Sequence, residues 1–238
     1  MVGRWAAPLL ALVLATASCA SPPPACGPAS GGEAGSVVQL RGLRFGDDQI
    51  AFLFGLRAGG VYGIPAFTAE REGDVVRVRM PGARLRNADG SPSYHGEREV
   101  RPPEGRIARV TIEEDASEGV IMVLRGMRSA CPQTAVRRYG LGSTHPAALV
   151  SVAFRDGPVV VFDPDGGAPG FPMQVVGLGF TPSAPVAFQS DGRTVWTSHA
   201  DAKGLLDTIM YVPPVAPGLH RVVIRNAARS VASWFRAE

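Results

Sequence analysis

Short apolar runs, each closed by glycine, proline or an acidic turn, dominate this chain and restrict it to β structure. Residues 50–54 form a continuous apolar run, the pattern of a strand covered on both faces. Residues 75–80 alternate, which puts Val76, Val78 and Met80 on one side and Arg77 and Arg79 on the other. Residues 107–112 and 119–124 repeat the theme around a polar hairpin turn at 113–119, and 147–154 closes the region. No segment of helical period longer than about ten residues occurs between 37 and 155. The 29 glycines and 21 prolines have no three-residue period, which excludes collagen. With 45% hydrophobic and 19% charged residues the chain is not a disordered polyelectrolyte either.

Charge narrows the partners. The net charge is +3, Lys203 is the only lysine, and no block of five or six basic residues is present. Nucleic-acid binding therefore has no support.

The first twenty residues read as an export signal. Arg4 precedes an apolar stretch at 5–17, and small residues follow at 15–20. The run, about 14 residues, falls short of the roughly 20 that a membrane-spanning helix needs. Thr16-Ala17-Ser18-Cys19 resembles the lipobox of bacterial lipoproteins, with Thr16 where that family favours leucine. The resemblance implies a signal segment 1–19 cut on the N-terminal side of Cys19, lipidation at Cys19, membrane attachment through the lipid and, with Ala20 following, delivery to the periplasmic face of the outer membrane. The alternative is a soluble exported or periplasmic protein cut after Ala17 or Ala20. Residues 20–35, rich in Pro, Gly and Ser, are expected to form a tether.

Three cysteines are present, Cys19, Cys26 and Cys131. With Cys19 lipidated or removed, an oxidising compartment allows the disulfide Cys26–Cys131, the alternative being two free thiols.

Residues 36–155 read as two similar halves, each a strand, a polar turn and an apolar strand (40–56 and 109–124) plus a second arm ending in an apolar strand (74–85 and 147–154). The segments 49–54, 75–82, 106–111 and 120–124 resemble an AMIN domain, the two-sheet β module of bacterial envelope proteins, while the insert 87–103 departs from it. The resemblance implies peptidoglycan binding or the positioning of an envelope protein partner. Arg77 and Arg79, extended by Arg84 and Arg86, are then the candidate ligand-binding residues, through guanidinium forks. The alternative is a solvated outer face.

Seven short strands are expected in 156–238, the pattern of an immunoglobulin-like sandwich. Val176-Gly-Leu-Gly-Phe-Thr-Pro182, the turns Asp191-Gly192 and Asp201-Ala-Lys-Gly204, and Pro217-Gly-Leu-His220 resemble, in that order, the markers of IPT/TIG-type bacterial Ig-like domains. The expected fold class is thus all-β, two β-sandwich domains with the second Ig-like.

Chemistry is sparse. His95, His145, His199 and His220 lie far apart, and no H-E-x-x-H, G-x-S-x-G or phosphate-loop motif occurs. Asp163-Pro-Asp-Gly-Gly167 offers two carboxylates without EF-hand spacing, so a turn is the simpler reading. Neither a metal, a cofactor nor a catalytic set is expected. The function expected is non-enzymatic: an envelope adaptor that binds peptidoglycan or a protein partner. The alternatives are a structural spacer or assembly subunit, and a cell-wall hydrolase with His95 or His145 beside carboxylates in a pocket. The oligomeric state stays open.

Overall fold

A computed structural model describes residues 26–55, 63–126, 131–139, 147–153, 157–227 and 229–238. Cys19 and His145 lie outside the described residues. The described chain is all-β, built as β-sandwiches.

The first region contains β1 (Ala29–Gly31), β2 (Val38–Gly46), β3 (Gln49–Phe54), β4 (Phe67–Glu72), β5 (Val75–Met80), β6 (Ala83–Arg84), β7 (Glu99–Val100), β8 (Arg109–Asp115), β9 (Gly119–Arg125), β10 (Gln133–Tyr139) and β11 (Ala147–Ala153). One sheet has the order β1-β4-β5-β9-β8-β7, and the facing one runs β10-β11-β3-β2. The two hairpins expected from the repeat are β2–β3 and β8–β9, but their arms are exchanged. The β4–β5 arm of the first half pairs through β5 with β9 of the second. The β10–β11 arm of the second half pairs through β11 with β3 of the first. Each sheet therefore contains strands from both repeats.

The alternating residues of β5, Val76, Val78 and Met80, enter the core opposite Ile50, Phe52 and Phe54 of β3. Ala51 and Leu53, on the other face of β3, are also buried, so the continuous apolar run is covered on both sides.

The described part of the expected tether is not free. Residues 29–31 add β1 to the edge of β4, Glu33 bridges Pro65, and Ser36 is buried. Cys26 is joined to Cys131, just before β10, with Cα atoms 5.3 Å apart. The bridge thereby links the β1 edge of one sheet to the β10 edge of the other.

The second region contains β12 (Val159–Asp163), β13 (Gly166–Gly167), β14 (Pro172–Leu178), β15 (Pro185–Ser190), β16 (Arg193–His199), β17 (Leu206–Tyr211), β18 (Gly218–Asn226) and β19 (Arg229–Ala237). Apart from the two-residue β13, these are seven strands, the number expected for this region. They form a sheet β12-β14-β17 facing β19-β18-β15-β16, the three-on-four arrangement of an Ig-like sandwich. Phe162, Phe180, Phe188 and Phe235 fill its core. Phe180 gets there because Gly177 has no side chain: a Cβ at 177 would lie 2.5 Å from Phe180 Cε2. Asp191 and Gly192, both with positive φ (51° and 75°), make the tight β15–β16 turn that twisted hairpins favour.

The two sandwiches share a seam. Ala51 and Leu53 of β3 pack on Val161 and Val176 of β12 and β14. Gly46 at the end of β2 pairs with Ser233 of β19, so one sheet of each sandwich runs into the other. Arg44 donates to the Phe162 carbonyl at 3.0 Å and to Asp163 at 3.1 Å. The expected turn at 163–167 thus bears two carboxylates that both face Arg44, with Asp165 at 3.6 Å.

Candidate functional site: a cleft at the seam

β19 alternates about its sheet: Val231, Ser233, Phe235 and Ala237 are buried within the sandwich or against β2, while Trp234 and Arg236 face the other way. Across the ladder Arg221 lies opposite Trp234 and Leu219 opposite Arg236. This outer face would be an ordinary solvated sheet were it not for the first sandwich. Phe45, beside the Gly46–Ser233 contact, and the segment Arg101-Pro102-Pro103 stand over it and enclose a cavity of about 360 Å³. Asp165, Gly166, Gly167 and Glu238 close the far side.

Backbone contacts hold the walls. At Gly105, with φ of 106°, a Cβ would sit 1.5 Å from the Asp47 carbonyl oxygen, so only glycine lets this segment lie against the β2–β3 turn. Arg106 N then donates to that same oxygen at 3.0 Å. The Asp47 carboxylate accepts from Arg221 of β18, and this hydrogen bond holds the Arg221 guanidinium more firmly charged than usual. Glu104 adds a second carboxylate at 3.8 Å from Arg221. The opposite wall is pinned by β13, which pairs in parallel with Arg236 and Ala237.

The cleft therefore offers two aromatic rings, Phe45 and Trp234, an exposed leucine (Leu219), two guanidinium groups at Arg101 and Arg236, and two carboxylates at Asp165 and Glu238. Trp234 Nε1 is buried with no hydrogen-bond partner among the described residues. A pocket of this composition at the junction of two sandwiches suits a ligand with apolar faces and polar edges.

The sequence-derived candidates lie elsewhere. Arg77 and Arg79 do share the outer face of β5, away from the core. Arg79, however, is held by Glu70 at 2.7 Å and Glu118 at 3.5 Å, and its hydrogen bond to Glu70 raises its pKa further. Arg77 Nε is buried without a partner among the described residues. Arg84 donates to the Pro81 and Ala83 carbonyls, and Arg86 to that of Gly90. None of the four lines the seam cleft. His95 is exposed and outside it as well. His220 Nε2 donates to the Ala216 carbonyl oxygen at 2.6 Å, and its ring stacks on Phe235.

The cleft residues were missed for definite reasons. Arg101-Pro102-Pro103 falls in the insert that departs from the repeat, and two successive prolines there were the available signal for a stiff wall. Trp234 was legible only as one residue of a strand, since nothing local says which partner covers its face.

No family model matches the chain, and no curated protein matches it. Among solved structures it is similar to a polysaccharide lyase at 9% identity and a TM-score of 0.28. That alignment covers 80% of this chain and 32% of the lyase, so the chain spans about a third of that structure's length. A likeness so slight assigns neither fold nor activity.

Proposed function

We propose that this protein is an exported, lipid-anchored binding protein of the bacterial envelope, without catalysis, and that its seam cleft takes a segment of cell-wall glycan. The observation that carries this reading is Trp234 beside Phe45 in a cleft flanked by Arg101 and Arg236. Sugar rings present apolar C–H faces that pack on indole and phenyl rings, while guanidinium groups recognise carboxylates through paired hydrogen bonds. Peptidoglycan supplies both features on one polymer. The signal-like segment and the lipobox-like Cys19 support an envelope location, where that polymer lies.

The test is co-sedimentation of the mature protein with purified peptidoglycan at low salt, beside Trp234→Ala. Retention of the parent and its loss in the variant are expected. No retention of the parent, or equal retention of both, overturns the reading.

A protein partner is the second reading, and it has its own observation. Among the described residues β17 is an edge strand of its three-stranded sheet; it exposes Ile209 (53%) and Tyr211 (51%), the latter ring packing on Trp196. Exposed edges of this kind are places where another chain can add. Crosslinking in intact envelopes separates the two, because it yields a protein adduct through this edge or none.

A further inference from the structure

The outer face of the first sandwich carries an arrangement that folding alone disfavours. In the β8–β9 ladder Arg109 lies directly opposite Arg125. Such neighbours have Cβ atoms about 5 Å apart, and like charges there repel. Arg109 has a carboxylate nearby, Glu99 at 3.3 Å. Arg125 is exposed and has no ion pair among the described residues, and Arg101 likewise has none. These three arginines surround a shallow depression of about 760 Å³ in which, among the described residues, Asp74 is the one acidic lining residue. Arg101 also lines the Trp234 cleft, so the depression and the cleft meet at that side chain.

We propose that Arg101, Arg109 and Arg125 form an oxyanion site that continues the Trp234 cleft and takes the carboxylate or phosphate groups of an acidic glycan. The proposal rests on the glycan reading of the cleft and deepens it: the ligand is an anionic polymer long enough to pass from the rings to the arginines. An oxyanion between Arg109 and Arg125 turns their repulsion into two charge-assisted contacts, which is what forked guanidinium groups do best.

The full chain is titrated by calorimetry with three tetrasaccharides of N-acetylglucosamine: neutral, carboxylated and phosphorylated. An acidic form is expected to bind about tenfold more tightly than the neutral one at low salt, the advantage shrinking as salt rises. In Arg109→Gln/Arg125→Gln that advantage disappears while affinity for the neutral sugar holds. The acidic form that shows the larger advantage identifies the group. Arg125→Gln alone, which breaks no ion pair among the described residues, reads the same site should the double variant fail to fold. Equal binding of neutral and acidic sugars by the parent, or an advantage that survives these variants, overturns the proposal. If no sugar binds, the cleft reading has failed. Inorganic phosphate then decides the oxyanion site separately: perturbed Arg109 and Arg125 side-chain NMR signals support it, and unchanged signals overturn it.

Discussion

The side-chain amide of Gln49 pairs with the backbone of Val160 as a strand would. Its Nε2 donates to the Val160 carbonyl, and Val160 N donates to its Oε1 at 3.3 Å. Gln49 is 4% exposed, Val160 is fully buried, and β12 is an edge strand of its sheet. One side chain from the first sandwich thus satisfies two edge groups of the second.

Gln49→Ala is expected to destabilise by about 2–3 kcal/mol, because it strands a buried donor and acceptor. Urea unfolding measures this directly. A loss well under 1 kcal/mol would mean that water reaches these groups and that the amide contributes little to the seam.

Gly177→Ala places a methyl group against the Phe180 ring. Overpacking of this kind costs about 1–3 kcal/mol. Phe180→Leu in the same background should recover part of the loss in thermal melts. If it adds a second full penalty instead, the clash is not the cause.

Cys26 and Cys131 are 105 residues apart in sequence, so their bridge closes a long loop. Replacing both by serine is expected to cost about 2–5 kcal/mol, the range for a native bridge. Because the bridge links the edges of two sheets, proteolysis should then cut first near β1 and β10. Melts with and without reductant supply the comparison, and coincident curves would show that the bridge adds nothing.

Two acidic turns set an acid limit. Asp115 Oδ1 accepts from Ser117 Oγ at 2.6 Å and from two backbone N–H groups, and Asp89 Oδ1 accepts from Ser91 Oγ at 2.6 Å. The serine hydroxyls are the largest cause holding both carboxyls below their ordinary value of 3.8. A depressed folded pKa stabilises above the ordinary value, and the contribution is lost as pH falls through the folded one. Asp89→Asn/Asp115→Asn should therefore show a shallower fall in melting temperature between about pH 5 and pH 2. An unchanged slope would sink the assignment.

Strand positions were legible because they depend on local period and local turns. The alternation of 75–80 put Val76, Val78 and Met80 in the core, and the Asp191-Gly192 turn needed only its own backbone. β1, β4 and β10 are not legible locally, for the opposite reason. Gly31, Glu70 and Gln133 belong to strands of weak apolar period that form because a neighbouring edge accepts them.

By itself the sequence determined an all-β chain, its two repeats, seven Ig-like strands and the two cysteines available to pair. Each of these rests on residues close together or on simple counting. Only the tertiary structure decided that the repeats exchange arms, that Phe45 and Arg101 stand over Trp234, and that Arg109 faces Arg125. The first two relations join residues from different hairpins, whose sheet order is set by long-range packing that no local pattern encodes, while the third depends on the exact register within the β8–β9 hairpin.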